Sequence, residues 1–212
     1  MSTSATISAA ARKPSASLLQ VSVIQGGMGA GISSSQLANT VSRRGQLGVV
    51  SGVALDLLLA RRLQDGDTDG AMRRALAAFP DAGLVGRILQ RYFRAAGREE
   101  GRGYLAKPLV GDRPSVKDVE LLIASGFVEV YLAKEGHRGL VGINFLHKIQ
   151  PPLLATLWGA MLAGVDVVIV GAGIPVQLPA ILDGLARDEA VEITLEVKAG
   201  DGTDAKPAEH NL

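Results

Sequence analysis

The chain has 212 residues and a mass of 22.0 kDa, with 47% hydrophobic residues and a mean hydropathy of +0.23, so it can bury one sizeable core and is not intrinsically disordered. A net charge of +1 gives no bulk attraction to nucleic acid or to an anionic membrane, and the lack of cysteine excludes a disulfide scaffold, a thiolate metal site and cysteine nucleophilic catalysis. Glycine is abundant (26 residues) and aromatics are scarce (4%), which suits an α/β protein with tight strand-to-helix turns.

Residues 1–17 are rich in Ser and Ala and read as a disordered tail; only Arg12 and Lys13 speak for a targeting segment. The apolar run 18–24 ends at Gln25-Gly26-Gly27-Met28-Gly29 and is expected to be a buried strand. Ser33, Ser34 and Ser35 offer N-caps for a helix to about Arg43, and 47–51 reads as a second buried strand. Helical periods follow over 54–64, 68–79 and 81–96, with Thr68 expected to cap the second and Pro80-Asp81 to open the third. Arg87, Arg91, Arg94 and Arg98 recur at helical spacing, which reads as a solvated face. The glycine- and proline-rich stretch 97–114 reads as a loop, and a helix is expected over 115–135 with Gly136 just past its end.

A β-α rhythm then resumes. Residues 140–145 read as a strand, Pro151-Pro152 opens a helix to about Ala163, and 165–170 reads as a strand with both faces covered. A helix over 176–187 and a half-exposed strand over 191–197 follow, and 199–212 reads as an unstructured polar tail. The apolar stretch 154–175 is long enough to span a membrane, but Asp166, Gly171, Gly173 and Pro175 divide it into helix, strand and turn. The expected setting is cytoplasmic, with no membrane and no nucleic-acid partner.

Two glycine loops each follow a strand and precede a helix, an arrangement that lets backbone N–H groups approach a phosphate or a flavin edge. Gly171 and Gly173 match the start of a dinucleotide fingerprint, and Glu196 could be its acidic residue, but Val176 stands at the third glycine position.

IQGGMGAGISSSQLANTVSRRGQLGVVSG (24–52) and FVEVYLAKEGHRGLVGINFLHKIQPPLLATLWGAMLAGVDVVIVGAGIP (127–175) resemble the nitronate monooxygenase (2-nitropropane dioxygenase) family. The resemblance runs nearly from Leu18 to Leu185 and implies an FMN-binding flavoprotein built as a TIM (β/α)₈-type barrel. It implies a monooxygenase that oxidises small alkyl nitronates with O₂; an enoyl reductase of the same superfamily, or an inactive fragment, is the alternative. Gly27, Met28 and Gly29 match the loop that packs its backbone on the flavin ring, and Asn144 matches an asparagine that hydrogen-bonds the ring. No catalytic residue is assigned within this chain, and no metal site.

Parts of the family pattern are absent. A barrel of this type takes ~250 residues, whereas 53–118 is read here as a helical insertion, leaving four to five β-α units between 18 and 198. Neither the A-G-G-H motif that carries the family's catalytic histidine nor the late glycine loops that hold the FMN phosphate occurs. The expected architecture is therefore an α/β partial barrel, the N-terminal portion of such an enzyme, working as an oligomer or with a complementing C-terminal half. His137 is expected to be a cation near a helix end, and His147 and Lys148 to lie on the active-site face, solvated.

Overall fold

The computed structural model describes residues 18–107, 109–195 and 208–211. The elements are β1 (Ile24–Gln25), α1 (Ser35–Ser42), β2 (Leu47–Ser51), α2 (Leu55–Gln64), α3 (Ala71–Ala77), α4 (Ala82–Tyr92), α5 (Val116–Lys134), β3 (Val141–Leu146), α6 (Leu153–Leu162), β4 (Val167–Gly171), α7 (Leu178–Ala186), β5 (Glu192–Leu195) and β6 (Ala208–Asn211). Strands β1-β2-β3-β4 are all parallel, lie in chain order and curl into a half-barrel. The helical insertion after the second strand is α2 to α4, which together with α5 separates β2 from β3.

The two faces of the sheet bury different things. Val50, Val141, Ile143 and Phe145 point outward and pack beneath the helices with Leu153, Leu154 and Leu157 of α6. The concave face carries a smaller cluster of Leu47, Val49 and Leu140, with Val21, Val167 and Ile169 against it. This period-two division follows from the pleat.

Helix α5 is the central helix. Ser115 caps it in a reciprocal box with Asp118, and Gly136 follows its end at φ +77°. Phe127, Val128 and Val130 gave the stretch a strand-like composition, yet it is helical, because apolar residues nearly all round suit a helix packed on several sides. Its Gly126 lies against the Thr156 carbonyl of α6, and Gly159 of α6 against the Ile123 carbonyl; an added Cβ would come within 2.2 Å and 1.8 Å of those oxygens. Two glycines facing two carbonyls set how closely these helices cross.

Several expectations need correction. The first strand is only two residues, preceded by a 3₁₀ turn at Leu18–Gln20, and Ile24 is exposed rather than buried. Side chains replace the ladder there: Gln46 Oε1 accepts from the backbone N–H of Ser22 and Val23, and Gln25 Oε1 accepts from that of Val49. Thr68 is not the cap of α3. Gly70 starts that helix, and the Asp67 carboxylate accepts from the N–H groups of Met72 and Arg73. Strand β4 does not have both faces covered: all of 165–170 are only partly buried. The fifth strand, β5, stays outside the parallel sheet and pairs antiparallel with β6, so part of the expected polar tail is strand; 199–207 and 212 lie outside the described residues, as do 1–17 and Glu196. Among the described residues no helix is long and apolar enough to cross a membrane.

Candidate functional site

The carboxyl ends of β1 to β4 release four loops on one edge of the half-barrel, the edge on which parallel α/β folds build their sites. Ser33 anchors the first loop. Its buried hydroxyl donates to the Gly26 carbonyl (3.1 Å) and accepts from the Met28 N–H (2.8 Å) and from Gln25 Nε2 (3.1 Å), while its carbonyl takes the Ser51 N–H (2.9 Å). A hydroxyl can serve both roles at once, so one side chain pins Gln25-Gly26-Gly27-Met28 to the end of β2. Sequence reasoning saw Ser33 only as a capping candidate; the actual cap of α1 is Ser34, and a serine inside a glycine-rich turn was the available signal.

Gly27 and Asn144, matched from separate segments, come together. A Cβ on Gly27 would sit 2.5 Å from Asn144 Cβ and 3.1 Å from Asn144 Nδ2. Gly29 adopts φ +134° with open space where a side chain would project, a conformation that favours glycine. Met28 is 76% exposed, and its backbone rather than its side chain is fixed.

Asn144 lies near the end of β3 in register with Ser51 and Ile169. Its main-chain carbonyl accepts from the Gly52 N–H at 2.8 Å. Its partly buried carboxamide has no hydrogen-bond partner among the described residues. A structural bond from this amide to neighbouring backbone, the plain alternative for an asparagine in an apolar strand, is therefore not made, and the group is left with two donors and an acceptor to offer a ligand.

The second glycine loop repeats the relationship. A Cβ on Gly173 would lie 2.6 Å from His147 Nδ1, and the His147 N–H donates to the Gly171 carbonyl at 2.8 Å. Each glycine loop thus packs on a polar residue at the end of β3. His147 is half-buried rather than fully solvated, and Lys148 is exposed. Met28, Ile32, Ile174 and Val176, on the two outer loops, are each more than two-thirds exposed.

His137 lies at the end of α5, as expected, and is held by two hydrogen bonds. Its Nδ1 accepts from the Gly139 N–H (3.0 Å), so Nε2 carries the proton that meets the Ala133 carbonyl (2.7 Å). The ring closes the turn between α5 and β3. The arginine stripe is also more than a solvated face: Arg87 pairs with Glu120, and Arg98 pairs with Asp65 while stacking on Tyr104.

A cavity of about 890 Å³ opens among α1, α2, α3 and α5, bordered by Gly31 and Ser34 of the first loop. Most of its charged side chains are paired: Arg62 with Glu129, Arg74 with Glu135, Asp67 with Arg73 and Asp65 with Arg98. The Arg74 guanidinium hydrogen-bonds Glu135 and, with Arg43 nearby, holds its carboxyl below the usual carboxylate range. This cavity is a polar cleft between helices, and the candidate site remains the loop edge.

These residues could hold a planar, hydrogen-bonding group. An unpartnered amide, a glycine backbone lying against it and an exposed apolar rim are what a planar, hydrogen-bonding ring needs. A search of protein-family models and of curated proteins found no match to this chain.

Proposed function

We propose that this chain forms the ring-holding half of an FMN-dependent oxidoreductase of the nitronate monooxygenase type, a TIM-type barrel enzyme acting on small nitronates with O₂. The observation that carries this reading is the unpartnered Asn144 carboxamide set against Gly27 at the carboxyl edge of the sheet. The flavin, when bound, supplies the redox chemistry by accepting electrons from the nitronate and returning them to O₂. The chain's part is positional. Asn144 would bond the polar edge of the ring, the Gly27–Gly29 backbone would pack on its face, and Met28 and Ile174 would shield the site from water. Neither His147 nor Lys148 is assigned a proton to move.

The contacts offered are to the ring and not to a phosphate. Titration of the purified chain with FMN and with lumiflavin, which lacks the ribityl phosphate, should give similar dissociation constants by quenching of flavin fluorescence. FMN bound at one per chain through purification, or no quenching by either compound at millimolar concentration, would contradict the proposal.

A further inference from the structure

The two outer strands of the half-barrel have unpaired edges. In a parallel ladder alternate residues turn their N–H and C=O groups to opposite sides. His147 N–H donates to the Gly171 carbonyl at 2.8 Å and Val167, Ile169 and Gly171 stand in register with Gly142, Asn144 and Leu146, so the odd-numbered residues of β4 bond β3 and the backbone groups of Val168 and Val170 face away from it. On the other edge, Leu47 N–H donates to the Val23 carbonyl at 3.1 Å, so those of Ile24 face away from β2. Among the described residues neither edge has a partner, since β5 pairs with β6.

Neither edge carries the usual protections against pairing. The edge runs are Val-Ser-Val-Ile and Val-Val-Ile-Val, with no proline and no free charge: Asp166 is held by Lys134 Nζ (2.6 Å) and by the Val141 N–H (2.8 Å). Val23 and Ile24 are more than half exposed, whereas β2 and most of β3 are buried. The exposed apolar loop residues follow the same division. Met28 and Ile32 belong to the loop after β1, and Ile174 and Val176 to the loop after β4, so they flank the two open edges rather than the middle of the sheet.

We infer that a second copy of this chain closes the sheet, β4 of each copy pairing in parallel with β1 of the other to make an eight-stranded ring. Strand direction allows this: four parallel strands in chain order, related by a two-fold along the barrel axis, continue into four more with the same direction. Eight is the number at which a parallel barrel fills its own interior. No other occupant is present within these residues, because 1–17 and 196–207 contain no apolar run of strand length. Closure also brings Met28 and Ile32 of one copy beside Ile174 and Val176 of the other. Two Asn144 sites would then face one barrel mouth. The inference stands on the sheet and does not depend on flavin binding.

Light scattering coupled to size-exclusion chromatography of the full chain should give twice the 22.0 kDa chain mass at micromolar concentration. Val168→Pro removes an N–H that serves only the open edge, a position where strands tolerate proline. It should leave cooperative thermal unfolding in place and weaken the dimer roughly a hundredfold, because the two-fold strikes both seams with each substitution. Ile24→Pro makes the same test from the opposite edge should Val168→Pro not fold. A monomer at all concentrations, an open series of higher oligomers, or a dimer that survives Ile24→Pro would overturn the inference.

Discussion

Gly27 lies directly against the side chain of Asn144, 117 positions further along the chain, with no room for a methyl group between them. Gly27→Ala would drive a Cβ into another Cβ, which cannot rotate away, so the loop or the strand must shift. The expected result is a loss of flavin-ring affinity of about tenfold or more, from an overpacking cost of roughly 1–3 kcal/mol. Gly26→Ala is the control, since nothing lies within 4 Å of the added atom, and ring affinity should be unchanged. Equal affinities in the two variants would separate Gly27 from the site.

The crossing of α5 and α6 predicts a purely structural effect. Gly126→Ala or Gly159→Ala places a methyl on a backbone carbonyl, which no rotamer change relieves. Each should cost more than the ~1 kcal/mol that alanine otherwise gains over glycine inside a helix, and thermal denaturation should show a clear fall in melting temperature. A gain in stability would mean that the helices are further apart than described.

Half of this organisation was readable in the sequence. The parallel strands β2 to β4 announced themselves as short apolar runs, β2 and β4 closed by glycines, and Ser115, Asp81 and Gly136 marked helix ends where they occur. Gly27 and Asn144 were reached through a family resemblance; their contact spans distant segments and no local pattern encodes it. Ser33 escaped because a pinning hydroxyl and a helix cap look alike in a run of three serines. Strand β1 was overextended because Gln46, twenty-odd positions away, supplies the bonds that a longer ladder would have made. The role of His137 depended on Gly139 N–H meeting Nδ1, a geometry that spacing alone does not fix.

Glu129 predicts a coupled pair. This buried carboxylate accepts from the Ser35 N–H (2.6 Å) at the start of α1 and from Arg62 Nη1 (3.0 Å), joining α5 to α1 and α2. Glu129→Leu should destabilise the fold by about 3 kcal/mol, because it strands a partly buried guanidinium. Adding Arg62→Met should recover much of that loss in denaturant unfolding. Additive losses would show that the two residues do not act as a pair.

Glu135 predicts a pH dependence. Arg74 lowers its folded pKa below the unfolded value of about 4.3. Its contribution to stability is therefore present above that value and is lost as pH falls through the lower folded pKa. The pair joins α3 to the end of α5 and is about half exposed, so its contribution is small and screened by salt. Glu135→Gln should lower the melting temperature slightly at pH 7 and not at all at pH 2, with the difference shrinking at high salt. A difference that grows on acidification would contradict this assignment.

The most direct test of the flavin reading is the pair of constants measured on Asn144→Leu: the flavin-ring dissociation constant, and the melting temperature of the unliganded chain. If the carboxamide serves the ring, leucine removes its donors and acceptor at similar volume inside an apolar strand. Ring affinity should then fall tenfold to a hundredfold, following a loss of about 1–3 kcal/mol, while the melting temperature holds or rises. A lowered melting temperature with unchanged ring affinity would make Asn144 a structural residue and contradict the account.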